Sequence, residues 1–578
     1  MGPTLYLILA ISAAVGAPPN DRQFEQLADE FMTGHFAFRP HVALGLGLHE
    51  YDGRLADYRR ASLDRELERL KQFEQRFEKL PLEELSPGLR IDRQVLLCEL
   101  RESLFDFEGS QAYRRNPITY TRAVQIDNYL IRDFAPLADR VRSIIAVERQ
   151  IPQLFAAARE NLQAALPRPL VETAIKVTGG AADFLERDLP LAVAELKDPA
   201  LRAELDSANQ TAIVELRAYA TWLKGERLPS ADHRFAIGRE AFARMLRELE
   251  MVALSPEQIL ELGLRELRRE QEIFAATAKR IDPTRSAIDV FVEIQEDHPI
   301  AERLIPDTAR NLELIRKFVA DRKLISFPSD VRVKVAETPQ FRRAVSFASM
   351  ESPGPFESRG TDAYYYVTPV DPSWTALQKN QWLTAFNYYT TDVVSIHEAY
   401  PGHYLQHLHC NASSASKVRK AFSSYAFVEG WAHYTEQMTL DEGFPGGDDP
   451  LMAARYRLAQ SDEALLRLCR LCCSIQMHCG NMSVEEATKF FQDNCYYQET
   501  PARQEAVRGT HDPKYLNYTL GKLMILKLRE DWRRQEGDAF SLLRFHDEML
   551  RHGAPPIPLL RQVMLNDQGQ WDQALVAP

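Results

Sequence analysis

From about residue 20 to residue 320, apolar residues recur at spacings of three and four, the period at which an α-helix turns one face to a core. SLDRELERLKQFEQRFEKL, SPGLRIDRQVLLCELRESLF, DRVRSIIAVERQIPQLFAAARENLQAAL and SPEQILELGLRELRREQEIFAATAKRI all carry it, and several open on Ser or Asp with Glu shortly after, as capped helices do. A chain patterned this way buries its apolar stripes by packing long helices together, with the charge runs left as solvated faces. Over 326–372 the texture changes. VRVKVAE alternates, AVSFASM and DAYYYVTPV are β-like runs, and Pro and Gly stand between them, which predicts a small sheet. From WTALQKNQW the helical pattern resumes almost to the end, broken at EGFPGGDDP and GTHDPKY. No internal repeat or low-complexity linker divides the chain. The expected fold is mainly α: a large multi-helix bundle with a small β-sheet beside a cleft. A helical N-terminal part, 18–325, and a second part, 326–578, form one integrated unit.

With 45% hydrophobic and 26% charged residues in 578, a large core is affordable for an ordinary globular protein. Seventy Lys and Arg against 82 Asp and Glu leave a net charge of -12, which argues against phosphate backbones and anionic lipid, so nucleic acid is not an expected partner. The start, MGPTLYLILAISAAVGAPPND, has an apolar run from Leu5 to Val15 and then Val15-Gly16-Ala17, small residues of the kind a signal peptidase cuts after. Residues 1–17 read as a signal peptide, and the protein as exported. No Lys or Arg precedes the run, which leaves the alternative of an N-terminal helix packed on a cytoplasmic protein. The run is too short to span a bilayer and nothing later approaches the ~18 uncharged apolar residues required, so the mature chain has no expected integral membrane segment. Seven cysteines, an odd number, make no disulfide framework. LLRLCRLCCSIQMHC has helical spacing, and its cysteines read as core packing rather than as a thiolate zinc site.

Five of the 14 histidines (His397, His403, His407, His409 and His433) fall within 397–433, and clustering favours a site. SIHEAYPGHYLQHLH opens like H-E-x-x-H, in which two histidines four apart hold zinc and the glutamate between them activates water. Here the fourth place after His397 is Pro401, and the next histidine is His403. At ~100° per residue, positions six apart on a regular helix point about 120° away from one another. Pro401, however, supplies no N–H and its ring collides with the His397 carbonyl, while Gly402 frees the backbone to bend. A break there can turn His403 to face His397. The alternative pair, His403 with His407, leaves Glu398 without an adjoining ligand. Catalytic zinc takes three protein ligands and keeps one position open. FVEGWAHYTEQM offers Glu429, His433 and Glu436 on one helical face; Glu429 is the expected third ligand to one zinc ion per chain, with His433 and Glu436 orienting a ligand imidazole.

HEAYPGH with EGWAHYTEQM downstream resembles a bacterial family labelled domain of unknown function 885, whose members look like distant, gluzincin-like relatives of zinc metallopeptidases with a His, His, Glu ligand set. GLGLHEYDGRLADY, RLCCSIQMH, the E-x-x-R of Glu505 and Arg508, and DPKYLNYTLGKL extend the likeness over most of the chain. One departure is that Ser474 stands where the family pattern after Arg470 has an aspartate.

The leading expectation is a zinc-dependent metallopeptidase acting on short or unfolded peptides. Glu398 would take a proton from water and pass it to the leaving amine, and Tyr518, or else Tyr515 or His478, would donate to the tetrahedral oxyanion. Packing alone is the competing reading of the two tyrosines. DAYYYVTPV, with Tyr365 and Tyr366, is expected to receive an extended substrate by edge addition, and Arg508 or Lys522 to receive a substrate carboxylate. Two rivals stand: a zinc amidase or esterase on a non-peptide substrate, and a non-catalytic helical binding protein with a degenerate metal site. GxSxG and Walker A patterns are absent.

Overall fold

The computed structural model describes residues 20–343, 347–566 and 569–577. The expected signal peptide lies outside the described residues, as does the first part of the AVSFASM run. The elements that position the site are α1 (Asp21–Phe38), α2 (Pro87–Glu108), α3 (Pro256–Ile281), α4 (Leu304–Asp321), β1 (Lys334–Glu337), β2 (Ala348–Glu351), β3 (Tyr364–Val367), α5 (Tyr388–Glu398), α6 (His403–Ala412), α7 (Tyr425–Asp441), α8 (Pro450–Cys479), α9 (Glu499–His511) and α10 (Asn517–Glu536). The fold is mainly α with one small sheet, and among the described residues no helix is long and apolar enough to cross a membrane.

Local chemistry sets the helix ends. Ser255 accepts from the Gln258 N–H while the Gln258 side chain returns to the Ser255 N–H, and Pro256 opens α3. Asp449 caps α8 by accepting from the N–H groups of Leu451 and Met452. The stretch 139–166, patterned as one helical run, forms two helices, Leu137–Glu148 and Ile151–Asn161, because Pro152 has no N–H and disfavours helical backbone at the residue before it.

At the centre α3 runs along α8, and α7 along α10. One buried apolar cluster extends from Phe38 to Leu565 and draws on both parts of the chain; Cys469, Cys472 and Cys473 pack within it. The contact between α7 and α10 depends on two glycines. A Cβ on Gly430 would lie 2.5 Å from the backbone of Gly521, and one on Gly521 would lie 1.9 Å from the Ala426 carbonyl oxygen. The two helix backbones therefore touch, and Glu429, next to Gly430, is set against the first turns of α10.

The sheet has the order β1-β3-β2, with β1 parallel and β2 antiparallel to β3. The expectation of substrate edge addition to DAYYYVTPV is corrected: β3 is the middle strand and both its edges are already paired. Its composition explains the place. Tyr365, Tyr366 and Val367 are buried, whereas the more polar β1 and β2 are only half-buried or exposed and take the edges. The chain entering β1 is tied to the α5–α6 break, since the Tyr400 hydroxyl accepts from the Val333 N–H at 3.1 Å and the Tyr404 hydroxyl donates to the Val331 carbonyl at 3.2 Å.

Candidate metal centre

Helix α5 stops at Glu398 and α6 starts at His403. Between them the Tyr400–Pro401 peptide is cis, the Gly402 N–H donates to the Ile396 carbonyl at 3.0 Å, and the Leu405 N–H donates to the Ala399 carbonyl at 3.2 Å. Only glycine fits at 402, because a Cβ there would lie 1.8 Å from the His397 carbonyl oxygen. From α7 the buried Trp431 indole donates to the Pro401 carbonyl at 3.0 Å and pins the break in place. The break brings the His397 and His403 rings together at a centroid distance of 4.8 Å and an interplanar angle of 88°.

Glu429 completes the group. Its Oε2 lies 3.6 Å from Nε2 of His397 and 3.6 Å from Nε2 of His403. Nitrogen and oxygen donors about 2.0–2.1 Å from a tetrahedral zinc stand roughly 3.3–3.4 Å apart, so the two measured separations are within a few tenths of an ångström of that arrangement. One donor atom from each residue can be chosen so that all three lie within 4.8 Å of one another, the only such group among the described residues. Glu429 Oε2 is buried and has no hydrogen-bond partner among the described residues. A buried carboxylate oxygen left so is costly unless a cation meets it. Burial pushes the Glu429 carboxyl up, but His397 and His403 outweigh it and hold it well below the usual carboxylate range. Two imidazoles and one carboxylate form a donor set that fits zinc.

Glu436 stands behind the ligands. Its Oε1 accepts from Nδ1 of His397 at 2.7 Å and its Oε2 accepts from Nδ1 of His433 at 3.1 Å. A carboxylate only accepts, so Nδ1 of His397 carries a proton, and Nε2, which points towards Glu429 and His403, is the nitrogen that binds a cation once its own proton has left. Arg467 reaches the same Oε1 at 3.1 Å. Burial raises Glu436, but Arg467 and His433 keep its carboxyl far below the usual range. Burial pushes His433 down to about 3, with the charge of Lys522 adding to it, so His433 is neutral. Burial alone would lower His397; the contacts to Glu429 and Glu436 reverse this and hold it up at about 10 without a cation.

The remaining expected residues divide. Tyr518 lies beside the cluster, its ring 6.4 Å from that of His397 and nearly parallel to it, with the guanidinium of Arg470 5.2 Å over its face. Arg508 approaches the hydroxyls of Tyr518 and Tyr425 at 3.5 Å each, while pairing with Asp512 at 3.0 Å. Glu398 follows His397 directly at the end of α5, and the buried Tyr365 feels its charge. Tyr366 faces Tyr364 in the sheet. Three expectations are corrected. His478 has both ring nitrogens engaged by backbone, Nε2 with the Gly509 carbonyl at 2.8 Å and Nδ1 with the Ile237 N–H at 3.3 Å, so it is no free donor. Tyr515 is fully buried, with its hydroxyl against Gly509. Lys522 is buried where Glu270 and Glu436 face it, beneath the ligands rather than at a substrate end. His407, the alternative ligand, is exposed outside the group, and His409 is tied to the Ser326 carbonyl at 2.9 Å.

Residue-level reading of the sequence passed over Arg467 and Trp431 as parts of the site, and over the wall opposite Glu429. The signal for Arg467 was a charge inside the apolar run LLRLCRLCC, which requires a buried partner. A cavity of about 860 Å³ opens against Tyr425 and Glu429 and runs to α1 and α2. Ser474, at the departure from the family pattern, donates to the Pro513 carbonyl at 2.7 Å, and Arg470 pairs through two nitrogens with Glu505 at 2.8 Å each.

Two solved structures are similar over nearly the whole chain. One is a candidate lipoprotein of unknown function from Shewanella oneidensis, 25% identical, with a TM-score of 0.77, covering 94% of this chain and 100% of its own. The other, a candidate lipoprotein from Colwellia psychrerythraea, is 18% identical with a TM-score of 0.78 and covers 96% of this chain and 99% of its own; at that identity it speaks for the fold alone. No curated protein matches the chain. The family described as bacterial protein of unknown function, domain of unknown function 885, matches residues 40–564, and the chain belongs to that family.

Proposed function

We propose that this protein is a zinc-dependent metallopeptidase that hydrolyses peptide bonds in short or unfolded peptides. The observation that carries the reading is the convergence of two imidazole Nε2 atoms on one buried oxygen of Glu429 that has no hydrogen-bond partner among the described residues, with Glu398 adjoining the first imidazole. His397, His403 and Glu429 would hold zinc, which supplies Lewis acidity: it makes water acidic near neutral pH and polarises a carbonyl. Glu398 takes the water proton and hands it to the leaving amine. Tyr518, steadied by the guanidiniums around its ring, donates to the oxyanion. Glu436 keeps His397 in the ligating tautomer, and Arg467 keeps Glu436 ionised. The cavity beside Glu429 falls in the range of roughly 300–1,000 Å³ that encloses small ligands, which favours short peptides over folded proteins. Export is the location that fits the apolar run Leu5–Val15 and the description of the two solved relatives as candidate lipoproteins.

The test is Glu398→Gln, assayed with a mixed peptide library and mass spectrometry. Loss of cleavage by at least about a hundredfold, with zinc content unchanged, is expected for a general base. Unchanged cleavage refutes the role of Glu398, and no cleavage of any peptide by the zinc-loaded wild type refutes the peptidase reading.

A further inference from the structure

The cavity that reaches Glu429 is bounded on the α7 side by Tyr425, Val428 and Glu429, which lie three and four residues apart and so share one face of the helix. Glu429 belongs to the ligand set, whereas Tyr425, one turn before it, is left without a role by the hydrolytic residues. Tyr425 is half-buried, and the charge of Glu429 acts on it. Its backbone is fixed from both sides. The hydroxyl of Ser424 donates to the buried carboxylate of Glu250, and so does the Ala426 N–H, at 3.2 Å. A residue between two pinned neighbours is held in place, which is the condition for a donor that meets developing charge without reorganisation.

The Tyr425 ring meets that of Tyr518 edge to face, with centroids 5.9 Å apart and planes at 83°. Tyr518 in turn lies 6.4 Å from the His397 ring, so the pair of phenols runs from the first imidazole of the ligand set to the cavity wall. Nη2 of Arg508 stands 3.5 Å from both hydroxyls, and Asp512 holds that guanidinium through Nε at 3.1 Å and Nη2 at 3.0 Å. Arginine only donates, so both phenol oxygens accept there and each keeps its own hydrogen to give. Among the described residues no carbonyl or carboxylate receives either hydrogen. Two hydroxyl donors on different helices, gathered by one guanidinium beside the ligand set, thus lack a protein acceptor.

We propose that Tyr425 is a second donor to the tetrahedral oxyanion, acting together with Tyr518 on the carbonyl oxygen of a substrate lying in the cavity. The inference rests on the peptidase reading, which gives this role to Tyr518 alone. No proton changes hands in this step: both phenols stay O–H, and the carbonyl oxygen accepts from each more strongly as it becomes negative. Arg508 and Asp512 are positioning residues, since they act through the two hydroxyls.

The test compares a planar and a tetrahedral ligand on zinc-loaded Glu398→Gln protein, with and without Tyr425→Phe. The planar ligand is a peptide that wild type cleaves; the tetrahedral one is its phosphinic analogue, whose P–O⁻ stands in for the oxyanion. Tyr425→Phe is expected to weaken the phosphinic ligand roughly a hundredfold and the peptide by no more than about threefold, with zinc content unchanged. With Glu398 intact, kcat should fall by a similar factor and KM should barely move. Tyr518→Phe should show the same selective loss. The proposal is overturned if Tyr425→Phe weakens both ligands equally, as loss of a packing residue would, or weakens neither. Both ligands are measured on one preparation, so partial misfolding lowers the bound fraction of each alike and leaves their ratio. Failure of the peptidase reading looks different: wild type then cleaves no peptide, the phosphinic compound binds no more tightly than the peptide before any change at 425, and the inference falls with it.

Discussion

Replacing Glu436 by glutamine separates what this residue does for the metal from what it does for the fold. The carboxylate accepts from His397 at 2.7 Å and from His433 at 3.1 Å, and it faces Arg467 at 3.1 Å, all out of contact with solvent. Glutamine keeps one acceptor oxygen and turns an NH₂ towards the other imidazole N–H, so at least one of these contacts becomes donor against donor. Loss of the group that orients a ligand histidine lowers metal affinity by about 10–100-fold. Removing one member of a buried ion pair destabilises by roughly 3–5 kcal/mol. Arg467 keeps Glu463, which places the loss near the lower figure, about 3 kcal/mol. Zinc affinity is read by competition with a chromophoric chelator, and stability by chemical denaturation of the metal-free protein. Glu463→Gln is the control: it touches Arg467 but not His397, so it should lower stability and leave zinc affinity alone. If Glu436→Gln binds zinc within about twofold of wild type, the orienting role is refuted.

Gly521→Ala drives a methyl into the Ala426 carbonyl, 1.9 Å from the ideal Cβ, and should destabilise by roughly 1–3 kcal/mol while pushing Glu429 out of register; an unchanged denaturation midpoint contradicts the close contact of α7 and α10. Trp431→Phe leaves the Pro401 carbonyl without its 3.0 Å donor, at about 1–3 kcal/mol, and zinc affinity should fall with it as the break loosens; equal affinity would show that the break holds its shape unaided. His49 bridges Asp52 and Glu357 at 3.0 Å each, and these carboxylates outweigh burial to raise its pKa above the ordinary 6.5. The proton is thus held more tightly in the folded state, so the contribution is complete below about pH 6.5 and disappears as pH rises through the folded value. The stability gap between wild type and His49→Gln should be widest near pH 6 and narrow towards pH 8; a gap that widens with pH refutes the bridge.

Much of the fold could be read locally. The capping box of Ser255 and Gln258 and the apolar period after it mark α3 without any knowledge of its neighbours. Pro401 and Gly402 likewise announce a break, and one break of one turn suffices to bring His403 round to His397. What local signals could not supply was strand order and side-chain direction. DAYYYVTPV looks the same as an edge or as a centre, and only its pairing with both β1 and β2 decides. His478 and Tyr515 belong to stretches that resemble the family as well as Tyr518 does, but His478 turns to the Gly509 carbonyl of α9 and Tyr515 is buried against the same glycine. The charge of Arg467 stands out in its apolar run, but its partner Glu436 lies on another helix and no local spacing links the two. Glu99 and Asp106 lie more than three hundred residues before Glu429, so only packing could place them on one cavity.

The central claim is that His397, His403 and Glu429 hold a metal ion, and elemental analysis of the purified protein tests it most directly. About one zinc per chain in wild type, lost in both His403→Ala and Glu429→Ala while circular dichroism stays helical, is the expected result. A wild type that stays metal-free when zinc is supplied, or zinc retained in full by both variants, would contradict it.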